Sequence, residues 1–236
     1  MRRLILALQL MTSLPLPPVK ADETDFAAAI RWFPATGFAV GAAAAAAMTL
    51  GLSVDSWVAA LFALLAWVAA TGALHLDGLG DIADGAGAVH GDRARLSAVL
   101  ADPHIGSFGV VAIILQLLAK LILLRLWAEQ LPAWGLIPLA VIARIGPLAW
   151  TLWLPPLHEG LASRFREGVK PAHLVAWSAL ALAICPLLPA LGSAALLIPL
   201  WAWWLRSRIG GISGDGHGAG IEVVESALLA ALVFAR

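Results

Sequence analysis

Between His75 and Gly85 the chain reads H-L-D-G-L-G-D-I-A-D-G, which places Asp77, Asp81 and Asp84 at offsets 0, 4 and 7. On an α-helix, at ~100° per residue, the three carboxylates fall within ~60° of one another and project from one face. Such groups repel one another unless a positive charge sits among them. Hard oxygen ligands in this arrangement suit Mg²⁺ or Mn²⁺ carried with a phosphate substrate. The bland alternative is a solvated face of a surface helix. Against it, the segment follows a long apolar run, and Gly78, Gly80 and Gly85 let other groups approach its backbone.

A second polar tract runs from Arg206 to Gly220, R-S-R-I-G-G-I-S-G-D-G-H-G-A-G, with Glu222 and Glu225 just beyond it. Glycine-rich backbone suits the approach of amides to a phosphate or nucleotide, and it serves equally as a plain connector. The company of Arg206, Arg208, Asp215, His217 and the Glu222–Glu225 pair favours the first reading, although a helix N-terminus also attracts carboxylates for structural reasons. Lys120 and Arg144 fall inside apolar runs, where a charge is costly and normally faces a polar interior. Arg144 stays charged at any reasonable pH, so it is expected to pair with a carboxylate or a substrate phosphate. Lys120 and Arg125 read as structural. His75, His90 and His104 match no compact zinc motif, and His75 lies ~160° from the aspartate face, so zinc is disfavoured. No serine, Ser107 and Ser213 included, has the surroundings of a nucleophile elbow.

The scaffold for these groups follows from composition. With 61% hydrophobic and 13% charged residues, eleven tryptophans and a mean hydropathy of +0.89, the 236 residues do not fit around one soluble core. The expected fold is all-α, a polytopic helical membrane protein with about six to seven transmembrane helices. The apolar runs lie near 36–53, 57–74, 108–127, 134–154, 173–189, 191–205 and 221–235. The fifth and sixth are separated only by Leu188–Gly192, as a tight hairpin or a broken pair.

Basic residues set the orientation, because Lys and Arg in short loops stay inside. Inner segments collect Arg2, Arg3, Lys20, Arg31, Arg93, Arg95, Arg164, Arg166, Lys170, Arg206 and Arg208, outer loops collect none, and only Arg236 falls outside. Residues 75–107, 155–172 and 206–220 become cytoplasmic loops. The first holds the aspartate cluster with His90, Asp92, Asp102 and His104, and the second holds His158 and Glu159. An aromatic belt is expected from Trp57, Trp127 and Trp134 at the outer ends and Trp32, Trp150, Trp153, Trp201, Trp203 and Trp204 at the inner ends, with Trp67 and Trp177 filling lipid-facing volume. Arg2-Arg3 followed by Leu4 to Met11 imitates a secretory signal but lacks a small-x-small cleavage site. A retained interfacial helix ended by its prolines is expected instead. Cys185 is the only cysteine, which excludes a disulfide within one chain. Zero net charge without a basic tract argues against a nucleic-acid partner, and the sequence leaves homo-oligomer formation open.

Five stretches carry a family resemblance: L-Q-L-M-T-S-L-P-L-P near the N-terminus, R-W-F-P-A-T-G from Arg31, G-A-L-H-L-D-G-L-G-D-I-A-D-G from Gly72, A-D-P-H-I-G-S-F-G from Ala101, and G-G-I-S-G-D-G-H-G-A from Gly210. In this order and over nearly the whole chain they resemble cobalamin synthase, the adenosylcobinamide-GDP ribazoletransferase or cobalamin-5′-phosphate synthase family. The family pattern reads more like H-L-D-G-L-A-D-T-A-D-G, so Gly80 and Ile82 depart from it without removing a carboxylate. Asp102-Pro103-His104 stands where the family usually has Asp-Ser-Arg, which leaves His104 as a partial substitute for phosphate binding.

The resemblance implies one integral membrane transferase domain over residues 1–236, of bacterial inner-membrane type. It implies a Mg²⁺-dependent reaction joining adenosylcobinamide-GDP to α-ribazole or its 5′-phosphate with release of GMP. On that reading Asp77, Asp81 and Asp84 are metal ligands, directly or through water. Asp84 and Asp102 are the candidates to accept the hydroxyl proton. Arg144 and Arg206 become phosphate clamps, and the Gly210–Gly220 stretch, through Asp215 with Glu222 beyond it, a substrate contact. Two alternatives differ in class. CDP-alcohol phosphotransferases use D-x-x-D-G-x-x-A-R, which Asp81 to Ala88 approaches until Val89 stands in place of the arginine, and the second acidic pair is missing. A cation-coupled transporter would use Asp77, Arg144 and Glu222 as a relay, but the carboxylates cluster in one inner segment and no repeated halves are present.

Overall fold

The computed structural model describes residues 1–88, 96, 99–100, 102, 104–157 and 161–235. Val89, His90, Asp92, Arg93, Arg95, Ala101, Pro103, His158, Glu159 and Arg236, which enter the readings above, lie outside the described residues. The elements are α1 (Arg2–Met11), α2 (Glu23–Ala29), α3 (Phe33–Gly51), α4 (Ser56–Thr71), α5 (Leu74–Ala88), α6 (Ser107–Gln130), α7 (Leu136–Ala143), α8 (Gly146–Trp153), α9 (Leu161–Gly168), α10 (Pro171–Ile184), α11 (Ala194–Arg208) and α12 (Gly214–Phe234). Among the described residues the one extended pairing is a bridge between Pro156 and Ile212. The chain is thus an all-helical membrane protein, as composition requires.

Local signals place the helix starts. Asp22 and Asp55 each accept a backbone N–H of the first turn of α2 and α4, at 2.7 and 2.8 Å, and Ser213 does the same for α12 at 3.0 Å. Packing then follows residue size. A side chain at Gly37 or Gly41 would meet the α7 backbone at 2.5 and 2.6 Å, so these glycines let α3 and α7 touch. Apolar side chains of α6, among them Val111, Leu115, Leu118 and Ile122, remain exposed to the surroundings, as a lipid-facing helix requires.

Span count differs from expectation. Four helical segments are long and apolar enough to cross a membrane: Glu23–Gly51, Ser107–Gln130, Ala133–Trp153 and Gly214–Phe234. A fifth is the pair α4 and α5, bent by 84°. The apolar runs at 173–189 and 191–205 became shorter helices, because Pro189 and Gly192 sit in a 3₁₀ turn between them. At 1.5 Å per residue, α10 reaches only about 21 Å of the ~30 Å hydrocarbon thickness. The predicted glycine-rich loop is a second correction: from Gly214 onward it is the first turns of α12.

Contacts between turns hold each end of the bundle together. At one end Ser56 donates to Glu129, and Gly135 lies against Leu188, which joins the three short turns. At the other end Arg3 pairs with Asp25 at 2.8 Å, Arg31 donates to the Gly168 carbonyl, and Leu157 and Ile212 exchange backbone bonds with one another's segments. The aromatic belt holds only in part. Trp32, Trp57, Trp134, Trp153 and Trp203 are exposed, whereas Trp127, Trp150 and Trp201 are buried and donate to Pro132, Ile198 and Gly216 carbonyls. Trp67, expected in lipid, is buried beneath the Lys120 ammonium, 4.9 Å from its ring centroid.

Candidate active site

The site begins at an elbow. Gly72 and Ala73 both adopt a left-handed backbone with φ of 60°, which ends α4 and sends α5 off at 84°. Gly72 takes this conformation freely, while Ala73 pays ~1–2 kcal/mol for it. Among the last carbonyls of α4, Val68 and Ala69 accept the Ala73 and Gly72 N–H groups of the turn, and Ala69 and Ala70 take further donors from outside it. Ser13, just past α1, supplies them: its backbone N–H donates to Ala70 at 2.9 Å and its hydroxyl to Ala69. The C-terminal end of α1 is thereby stitched to the joint that aims α5.

Along α5 the carboxylates diverge in role. Asp77 is exposed, Asp81 half-buried and Asp84 buried. Gly78 lies so close to α12 that a Cβ there would sit 2.8 Å from the Asp215 carbonyl oxygen. This contact brings Asp215 to the aspartate face, and Asp81 feels the charges of Asp215, Asp77 and Asp84 together. A Gly78→Ala change should push α12 away and cut activity ~10²-fold, since a 1 Å misplacement carries that cost. Turnover measured beside the thermal midpoint checks this, and an active, stable variant would refute the contact's importance.

Asp84 is occupied. Its carboxylate accepts the Gly106 N–H at 2.6 Å and the Gly109 N–H at 2.9 Å, capping α6 from a neighbouring helix. Gly106 and Gly109 are required there, because a Cβ on either would fall 2.4 Å from an Asp84 oxygen. Replacing Asp84 by Ala leaves two amides without partners, an expected loss of ~1–3 kcal/mol read as a lower thermal midpoint. The sequence spacing alone put Asp84 with the metal ligands and base candidates, with no sign of this capping bond.

The remaining candidates separate. Asp102 is exposed and bonded to His104, whose backbone N–H and then imidazole hold its carboxyl below the usual range. Arg206 is exposed at the end of α11. Arg144 and Glu222 are buried in the bundle interior. Arg144 Nη1 pairs with Glu225 at 2.8 Å, and Lys120 Nζ bridges Glu222 at 2.7 Å and Glu225 at 2.6 Å, all of them buried. Gln116 adds bonds to Glu222 and Ser226. Lys120 and Glu225, two of each sign with Arg144 and Glu222, are thus the hub of a balanced network, and composition gave no means of pairing them.

Beside Asp77 and Asp215 opens a cavity of about 210 Å³. Its walls come from α1 (Leu10, Met11), the start of α3 (Phe33), α5 (His75), α9 (Phe165) and α12 (His217). Phe165 stacks on Phe26 and meets Phe33 edge-on. Sequence reading did not single out the first two helices' side chains or Phe165, which are distant in sequence and ordinary in type.

Among the described residues no three His, Cys, Asp or Glu side chains are grouped closely enough to hold a metal ion by themselves. The donors at the α5–α12 crossing are nevertheless all carboxylate oxygens, the type that suits a hard cation whose other positions are filled by phosphate and water.

Comparison with other proteins follows the same line. The sequence pattern of the family described as Cobalamin-5-phosphate synthase matches residues 3–233. The chain is 53% identical to the adenosylcobinamide-GDP ribazoletransferase of Novosphingobium aromaticivorans, over 97% of this chain and 95% of that one. It is 48% identical to the enzyme of the same name from Laribacter hongkongensis, over 100% and 98% of the two chains. The one from Thiobacillus denitrificans is 46% identical over 97% and 94%. No solved structure matches the chain.

Proposed function

The chain belongs to the cobalamin-5-phosphate synthase family, and from that premise we propose that it joins adenosylcobinamide-GDP to α-ribazole or its 5′-phosphate and releases GMP at the crossing of α5 and α12. The observation that carries this placement is the close approach of the Asp215 backbone to Gly78, with the charges of Asp215, Asp77 and Asp84 all bearing on Asp81. Four carboxylates drawn together need a cation, and one or two of them with substrate phosphate is the usual way in which Mg²⁺ is held. Asp77, Asp81 and Asp215 would hold it, with Asp84 keeping α6 and its glycines in register behind them. When bound, the ion supplies the positive charge that pyrophosphate oxygens and departing GMP require.

In the reaction a ribose hydroxyl of the acceptor attacks the pyrophosphate phosphorus on the corrinoid side, the bond to GMP breaks, and the hydroxyl proton passes to a carboxylate within reach. Asp77 and Asp215 both line the cavity, and whichever of them is not engaged with the cation would take it. Arg206, exposed at the same end, is the cation available to meet phosphate. We place this end, with α1, α2 and α9, on the cytoplasmic side of a bacterial inner membrane, because its loops carry the basic residues. The test is GMP release and cobamide formation by detergent-solubilised protein given both substrates. Product is expected with Mg²⁺ and at least ~10²-fold less with EDTA, in line with removal of a principal electrostatic stabiliser. No product from folded protein with Mg²⁺ would sink the proposal.

A further inference from the structure

The cavity beside the aspartates has a composition of its own. Leu10, Met11, Phe33 and Phe165 make an apolar, partly aromatic wall, and His75 and His217 join Asp77 and Asp215 in the polar part. His75 is 3% exposed and His217 5%. Both ring nitrogens of His75, and Nδ1 of His217, are buried without a hydrogen-bond partner, while His217 Nε2 meets the Thr151 hydroxyl at 3.2 Å. Buried polar atoms left this way cost free energy and call for a partner that arrives from elsewhere. A neutral imidazole offers one donor and one acceptor, which a sugar hydroxyl answers with one of each.

Size narrows the occupant. About 210 Å³ lies below the ~300–1,000 Å³ of pockets for drug-sized ligands, so a corrinoid bearing a nucleotide does not fit within it. A guanine base needs several polar partners along its edge, and the wall formed by α1, Phe33 and Phe165 has none to give. An apolar fused-ring base suits that wall, with its ribose and any phosphate reaching toward the open side, since about 210 Å³ is too small to enclose a whole nucleotide. We infer, resting on the reaction proposed above, that this cavity is the acceptor subsite: the benzimidazole-type base of α-ribazole packs against Phe33 and Phe165, and its ribose meets His75 and His217 beside Asp77. The corrinoid donor then approaches from the open side of the α5–α12 crossing. His75 and His217 are positioning residues here, and Phe165 contacts the base.

Equilibrium dialysis of solubilised protein against α-ribazole 5′-phosphate, GMP and adenosylcobinamide-GDP tests this without turnover. Phe165→Ala and His217→Leu should each weaken α-ribazole phosphate binding ~10-fold or more, while adenosylcobinamide-GDP binding stays within ~2-fold. In turnover the same variants should raise KM for the acceptor and not for the donor. Met11→Trp, which fills the cavity from its roof, serves if either variant fails to fold, and His217→Gln should restore part of the binding. Unchanged acceptor binding in all variants, or a selective loss of GMP or donor binding, overturns the assignment. Acceptor binding that follows the variants in a protein making no cobamide would instead remove the reaction proposed above and leave the subsite.

Discussion

Asp81→Asn is expected to lower GMP release by ~10²–10³-fold, the cost of losing one preorganised electrostatic group, and to leave the thermal midpoint unchanged or raised. Activity falls because Asp81 is the carboxylate on which the charges of Asp215, Asp77 and Asp84 all bear. Stability does not fall, because the substitution removes one of four like charges and breaks no bond that caps a helix. Asp84→Ala should show the opposite pattern in stability, since its partners are the amides that begin α6. Melting both variants in one detergent, with and without Mg²⁺, separates the roles. The parent should gain stability from the ion and Asp81→Asn should gain less. Equal ion-dependent shifts in the two proteins would show that Asp81 holds no cation.

Lys120→Met is expected to be the most destabilising single change in the bundle, by ~3–5 kcal/mol, the cost of leaving a buried charge without its partner. Glu222 and Glu225 would then face Arg144 as their one remaining cation in the network, and the ammonium's contact with Trp67 would be lost as well. The double variant Lys120→Met with Glu222→Gln restores the count of one positive to one negative charge. It should recover most of the folded yield, because Arg144 and Glu225, already paired in the parent, remain as one ion pair. Size-exclusion profile and thermal midpoint report the outcome. A Lys120→Met protein as stable as the parent would mean that the interior is wetter than its burial indicates.

Much of the scaffold was legible because lipid as solvent imposes long apolar runs, and α3, α6, the α7–α8 segment and α12 follow them. The aspartate cluster was legible for a similar reason: the helical period alone carries Asp77, Asp81 and Asp84 to one face. What sequence did not disclose were relations across the bundle. The glycines of residues 214–220 read as a loop, since glycine is poor in isolated helices. They are helical because small residues let α12 press on α5 and on the rings of Trp150 and Trp201, which a Cβ at Gly220 would strike. Arg144 and Glu222 read as substrate contacts because a charge in an apolar run needs a partner. The partners were Glu225 and Lys120, and no pattern along the chain distinguishes a protein partner from a substrate. Trp127 and Trp150 read as interfacial because belts are common, and they turned inward to satisfy backbone carbonyls.

The distance along the chain between the members of the buried network bears on how this protein is made. Lys120 is 102 residues ahead of Glu222 and 105 ahead of Glu225. At synthesis rates of ~5–20 residues per second, α6 must wait on the order of 5–20 s for its counter-charges. Inserting a lone lysine at the centre of a helix costs ~2.5–3.5 kcal/mol during that interval. A chain cut short before Glu222 would leave the Lys120 ammonium without its carboxylates and is expected to be recovered in lower folded yield than the full chain.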